Sequence, residues 1–592
     1  MRKKIRMGDE AASFRPASAE TYERFQQWTR LIGRAQQILL EFWVRQGASS
    51  RPLPPDPFSL MPLGAKVMAG LTADPQKLTD RQTALMAGLT DLLKQAAPAP
   101  QSGKPDRRFA GQEWQSHLIF DLARQSYLLA CEHWLEAVES VEGLTEQERE
   151  KARFFARQAA AALSPANFPF TNPQVLKATL EEQGENLLRG LQNLLTDLEK
   201  GYISLTSESA FAVGRNVATT PGKVVFENSL FQLIQYAPAT ETVQAVPIVI
   251  APPWINKYYI LDLTPEKSFV RWCTEQGFTV FVLSWINPGD EHRDTGLAEY
   301  MQSGLITAME TARAICDAPS VHAIGYCVAG SLLAPTLAWL DANGRGDLVS
   351  SATFFTTQVD FEDAGELRIL IDEAQMAMLD LLCADKGYLD SRYMAATFNL
   401  LRANDLIWPY VVNNYLLGRE PPPFDLLYWN SDSTRLPHAM LREYLKGLYL
   451  ENRMVQPDAL EIAGTPIDLR RVSIPAYIQA GRDDHIAPPQ SVYKLTRHFT
   501  GPMRFVLAGS GHIAGVVNPP SANKYGYRAG VPDAATLDAF TAATEQTPGS
   551  WWPDWLAWLR PLAGEQVPAR KPGTHPDFPA IEDAPGRYVR VR

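Results

Sequence analysis

Cysteine, aspartate and histidine occur in this chain at three places where an apolar run breaks into a turn, and side chains of these types can together carry an acyl group. Cys327 stands in "HAIGYCVAGSLLAPTLAWL", between an apolar run and a helical pattern that opens at Val328. Asp483, Asp484 and His485 follow the run "IPAYIQAG", and His512 follows "RFVLAGSG". A thiol, with an ordinary pKa of about 8.5, becomes a nucleophile when a neighbouring imidazole takes its proton and a helix N-terminus favours the anion. His512 is the expected base. A carboxylate fixes the tautomer of such an imidazole and stabilises its cation, a part assigned to Asp484 in preference to Asp483, with His485 as a loop residue. The oxyanion of a tetrahedral intermediate then needs two N–H donors, expected at the backbone of Val328 and, in the loop "PPWIN", of Ile255. Sulfur as the attacking atom suits transfer: a cysteine that opens a thioester forms another thioester, still activated for passage to an acceptor other than water.

Taken singly, these residues have plainer explanations, since free cysteine is among the most buried residue types and an aspartate after a strand is often a turn former. Their order changes the weighing. Nucleophile, acid and histidine follow one another at the ends of successive strands, the arrangement of an α/β-hydrolase, whose nucleophile sits on a sharp strand-to-helix turn flanked by small residues. Gly325-Tyr326-Cys327-Val328-Ala329-Gly330 has that form, with Ala329 where the second glycine of the pattern usually falls. The spacing of apolar residues supplies the strands: 223–236 as a bent hairpin, then 246–251, 279–284, 322–326, 351–357, 476–480 and 504–507, alternating with helices as in a mostly parallel sheet. Residues 360–470 break this rhythm and are rich in aromatics, which predicts a lid or cap subdomain inserted into the sheet domain. Before the sheet, residues 1–203 read as a mostly helical N-terminal domain, with Thr145 and Glu148 as a capping box and Asn172-Pro173 as a helix start. A linker, "AAPAPQSGKPD", is expected at about 96–106 within it. The catalytic α/β domain is thus expected over 204–592.

Composition removes several classes of function. A chain of 592 residues exceeds one compact core, and a formal net charge of -10 argues against nucleic acid as partner. The five cysteines are scattered without a CxxC pair, which predicts no disulfide framework and no metal site and suits a reducing cytoplasm. The basic start "MRKKIRMGDEAAS" is followed by no apolar stretch of a secretory signal, and no run is long enough for a transmembrane segment. Trp551, Trp552, Trp555 and Trp558 have helical spacing and are expected in a helix core.

"GYCVAG", "GRDDHIAPP" and "GSGHIAGVVNPP", with "WINKYYILDLTPEKSFVRWCTEQGFTVFVLSWINP" and the end "APGRYVRV", resemble the class I polyhydroxyalkanoate synthases. The resemblance covers nearly everything from about residue 200 onward. It implies that Cys327 carries a growing acyl chain, that His512 is the general base, and that Asp484 is its partner or activates an incoming hydroxyl. It implies as substrate an (R)-3-hydroxyacyl-CoA, 3-hydroxybutyryl-CoA above all, with CoA released as product and no cofactor. It implies a homodimer on the surface of cytoplasmic polyester granules. The family usually has two glycines where this chain has Ala329-Gly330. Two rivals remain at this point: a polyester depolymerase or thioesterase that uses the same three residues with water, and a silent granule-coat protein that has no physical need for them.

Overall fold

The computed structural model describes residues 30–31, 33–38, 56, 58, 60–94 and 106–592. The basic N-terminal segment and, Asp106 apart, the linker expected at about 96–106 lie outside those residues. Helices Leu60–Thr72, Pro75–Leu93, Leu118–Glu139, Glu146–Ala162, Pro173–Glu181 and Glu185–Lys200 precede the sheet. The starts at Glu146 and Pro173 follow side-chain chemistry. Thr145 accepts from the Glu148 amide while Glu148 reaches back to the Thr145 amide, and Asn172 accepts from Gln174 and Val175 with Pro173 in the first helical position.

One mixed sheet organises the rest. Its strands are β1 (Gly222–Glu227), β2 (Phe231–Tyr236), β3 (Ile248–Ala251), β4 (Val280–Trp285), β5 (Val321–Tyr326), β6 (Val349–Phe355), β7 (Ala476–Gly481), β8 (Met503–Ala508), β9 (Tyr527–Gly530), β10 (Gln546–Thr547) and β11 (Glu582–Asp583). They lie in the order β10-β9-β8-β7-β6-β5-β3-β4-β2-β1-β11. The six neighbours from β8 to β4 are parallel, with Ile250 opposite Ile324, Ile324 opposite Thr353, and Ile478 opposite both Phe354 and Phe505. Both faces of this parallel block are covered, so β3, β4, β5 and β7 are buried along their whole length and read as largely apolar runs, interrupted only by Ser284, His322 and Gln479. The edge strands β9, β10 and β11 are short, partly exposed and antiparallel, and no apolar pattern signals them.

The inserted region runs between β6 and β7. It is largely helical from Glu366 to Leu450, includes two π-helical stretches, Val411–Leu416 and Tyr444–Leu450, and closes with a small hairpin of Leu460–Ile462 and Thr465–Ile467. Near the C-terminus Trp558 is only partly buried against the core, whereas Trp551, Trp552 and Trp555 are fully buried. Their ring N–H groups donate to the carbonyls of Gly515 and Val516 and to Thr353 Oγ1 at 2.8, 3.0 and 3.0 Å. Two of those bonds hold the loop after β8 from behind. Among the described residues no helix is long and apolar enough to cross a membrane.

Candidate active site

The carboxyl ends of β3, β5, β7 and β8 converge, and each ends in a loop that delivers one part of the site. β5 passes into the helix Val328–Ala342 through a single residue, Cys327, at φ 55° and ψ −124°. Such a backbone is costly for an L-residue, about 1–3 kcal/mol, and persists because its surroundings over-determine it. The Cys327 amide donates to Phe355 O at 2.9 Å, and the Cys327 carbonyl accepts from Gly330 and Ser331 at 2.9 and 3.1 Å.

Close packing across the turn explains the small residues. A Cβ on Gly325 would stand 2.6 Å from Gly330 Cα, and one on Gly330 would stand 1.9 Å from Thr357 Oγ1. Ala329, by contrast, carries its methyl fully buried in the main core. The glycine this turn requires on the helix side is therefore Gly330, and the departure at Ala329 is accommodated.

Asp484 and His512 meet across the loops that follow β7 and β8. His512 Nδ1 lies 2.7 Å from Asp484 Oδ2. The other carboxylate oxygen of Asp484 accepts from the amides of Ile486 and Ala487 at 2.8 and 2.9 Å. Asp483 points elsewhere: its side chain is 60% exposed against Arg482, whereas that of Asp484 is fully buried. Tyr326 steadies the loop by donating its hydroxyl to His512 O at 3.0 Å. Burial works against an imidazolium at His512, but the Asp484 carboxylate, hydrogen-bonded to the ring, and then the side chain of Cys327 outweigh it and raise its pKa well above the ordinary value. His485, in contrast, is pushed down to about 4 by burial and by the Arg402 guanidinium, and so stays neutral.

Cys327 opens onto an apolar cavity of about 420 Å³ whose wall also includes Trp254, Ile255 and Val328. Helix geometry leaves the first N–H groups of Val328–Ala342 without intrahelical acceptors, so the Val328 amide is suited to donate at the thiol. Most of the remaining wall comes from the inserted region, including Tyr444 and Tyr449, which sequence reasoning does not single out. The two rings lie 5.8 Å apart and pack on Phe361. Residues five apart share no face of a regular α-helix, but the i→i+5 bonding of the π-helical stretch Tyr444–Leu450 brings them together. Burial keeps both phenols well above their ordinary pKa and hence protonated.

Residues 105–273 match the family described as the N-terminus of poly-beta-hydroxybutyrate polymerase (PhaC), and residues 256–519 match the alpha/beta hydrolase fold. The chain is 47% identical over 533 residues to a poly(3-hydroxyalkanoate) polymerase of Methylorubrum extorquens, covering 88% of each chain. It is 41% identical over 537 residues to the poly(3-hydroxyalkanoate) polymerase subunit PhaC of Cupriavidus necator, covering 89% of this chain and 91% of that one. A poly(3-hydroxyalkanoate) polymerase of Ectopseudomonas oleovorans is 37% identical over 497 residues, which cover 83% of this chain and 88% of its own. With an α/β-hydrolase sheet, a cysteine at its nucleophile turn and this extent of identity, the chain belongs to the poly(3-hydroxyalkanoate) polymerase family.

Proposed function

We propose that this protein polymerises (R)-3-hydroxyacyl-CoA, most simply 3-hydroxybutyryl-CoA, into polyester through a thioester on Cys327. The observation that carries this reading is a cysteine at the nucleophile turn, beside a His512–Asp484 pair, facing an apolar cavity under the inserted region. His512 takes the thiol proton, and the Cys327 sulfur attacks the acyl carbonyl. The oxyanion rests on the backbone N–H groups of Val328 and Ile255. As the intermediate collapses, the carbon–sulfur bond to CoA breaks, His512 returns its proton to the departing sulfur, and the acyl group stays on Cys327. In the second half His512 accepts the proton of an incoming 3-hydroxyl, whose oxygen attacks the Cys327 thioester to form an ester and free the thiol. Asp484 holds Nδ1 protonated throughout, so that Nε2 is the atom that exchanges protons.

The apolar wall supports transfer over hydrolysis, because water reaching the thioester would release free acid and end the chain. No cofactor enters these steps. Following the family resemblance, we further propose that the enzyme works as a homodimer on the surface of cytoplasmic granules of its own product. The test is a paired assay of wild type and Cys327→Ser on 3-hydroxybutyryl-CoA and on soluble 3-hydroxybutyrate oligomers, with CoA, free acid and insoluble polymer measured separately. Wild type is expected to release CoA and pass the acyl groups into insoluble polymer, while the serine variant loses most polymerisation, because an oxygen ester has given up the transfer potential of a thioester. Free acid from oligomers, with no polymer from the CoA ester, would overturn the synthase reading.

A further inference from the structure

We infer that Lys257 is a positioning residue for acyl transfer: its ammonium ties the loop that presents the Ile255 N–H to the carbonyl of Val591 and so sets where the second oxyanion donor stands. This rests on the reading of function given above.

The loop after β3 turns through Trp254, Ile255, Asn256 and Lys257, and four successive residues are held from one side by residues 429–434. Thr434 donates its hydroxyl to Trp254 O and its amide to Ile255 O, the latter at 2.9 Å. Asn256 Nδ2 reaches Asn430 O and Ser433 Oγ, both at 3.3 Å, and Trp429 Nε1 donates to Lys257 O at 2.6 Å. Held only there, the loop would follow any movement of the inserted region. Lys257 supplies a second attachment: its Nζ donates to Val591 O at 2.6 Å. Asn287, two residues beyond the end of β4, donates to the same carbonyl at 3.3 Å. The loop is thus anchored also to the C-terminal segment, which the Tyr588 amide ties to Gln232 of β2 and which Arg435 of the inserted region contacts at Arg592 O.

Chemistry marks this attachment as unusual. Lys257 is only 2% exposed, and a buried ammonium costs several kcal/mol unless it is paired. Burial brings it down to about 8 despite the nearby Asp432 carboxylate, with Arg435 and Arg592 adding like charge. Asp432 itself accepts from Tyr259 Oη at 2.8 Å. An apolar side chain of the same length would fill this space at less cost. What the cation adds is a short, directional, charge-assisted bond to a carbonyl distant in sequence, which fixes a backbone position.

The test is Lys257→Met in the full chain, with three measurements. Release of CoA from 3-hydroxybutyryl-CoA should fall about 10- to 100-fold in kcat with KM within about threefold, as expected for a displaced oxyanion donor. Alkylation of Cys327 by iodoacetamide, which needs the thiol and His512 but no oxyanion site, should keep its wild-type rate. Deletion of residues 591–592, which removes the acceptor together with the contacts of Arg592 to Arg435 and Tyr428 while leaving Lys257 in place, should give the same split, and the double variant should be no slower than the deletion alone. The deletion also covers the case in which the methionine variant does not fold. A kcat within twofold of wild type, alkylation that falls in step with acyl transfer, or multiplicative losses in the double variant would each overturn the inference. Wild type that releases no CoA would overturn the functional reading and this inference with it.

Discussion

Asp484 decides what His512 can do, and the chemistry of one atom shows how. Nδ1 of the ring faces a carboxylate oxygen that can only accept, so Nδ1 keeps its proton and Nε2 is the atom that gains and loses one. In Asp484→Asn the Ile486 and Ala487 amides select the side-chain oxygen, which turns the amide NH2 toward Nδ1 and forces the opposite tautomer. Activity on 3-hydroxybutyryl-CoA is expected to fall about 100-fold or more, the ordinary cost of losing a general base. Stability should respond in a defined pH window. Because the folded pKa of His512 is raised above the ordinary 6.5, the stability it confers is fully present below about that pH and is lost as pH rises through the raised value. Without the carboxylate the largest influence that raises the ring's pKa is gone and that contribution shrinks. Urea midpoints of the two proteins should therefore differ most at the acid end of this window and converge above it, and a constant difference would contradict the assignment. The three residues are legible in sequence because each ends an apolar run in the order this fold uses, and their burial adds the choice between adjacent aspartates. Tyr444 and Tyr449 are not legible, since their common face exists only in a π-helical turn.

Elements are legible where burial makes a pattern. The parallel strands β3 to β8 are buried over most of their length, carry dense apolar residues and announce themselves, whereas β9, β10 and β11 exist because an edge pairs with them. The nucleophile turn is the informative case. By sequence its odd feature is Ala329, but in space the constraint lies one residue later, where helix and the loop after β6 touch at Gly330 and Thr357. Gly330→Ala must push Thr357 aside and is expected to destabilise by about 1–3 kcal/mol, the usual cost of overpacking. Ala329→Gly removes a buried methyl and adds helix flexibility, and should cost about 1 kcal/mol while preserving the turn. Thermal unfolding together with Cys327 alkylation separates the two. Gly330→Ala is expected to slow alkylation by shifting the thiol, and Ala329→Gly to leave it near wild type.

At the scale of the whole molecule, the N-terminal helices grip the inserted region that closes the cavity. On one side Lys151, nearly buried, pairs with Asp372 at 2.6 Å, Arg157 pairs with Glu366, and Phe154 packs with Ile369, Leu370 and Leu401. On the other, the helix Glu185–Lys200 lies against the π-helical stretch Val411–Leu416, with Asn186 donating to Leu416 O, Asn193 to Asn414 O and Tyr415 Oη to Asp197. Gly190 makes that second contact possible, because a Cβ there would stand 1.9 Å from the Tyr415 carbonyl oxygen, a backbone atom that cannot swing away. Gly190→Val should therefore separate the helix from residues 411–416 without touching the site. The expected signature is faster amide exchange confined to residues 185–200 and 411–419, at unchanged reactivity of Cys327 toward iodoacetamide. Its effect on turnover follows from the position of the inserted region over the cavity. In the proposed mechanism a loosened cover admits water to the Cys327 thioester, so the ratio of free 3-hydroxybutyrate to polymer should rise even if total CoA release holds. An unchanged ratio, with exchange confirmed to be faster, would mean that this contact fastens the helices without helping to keep the cavity dry.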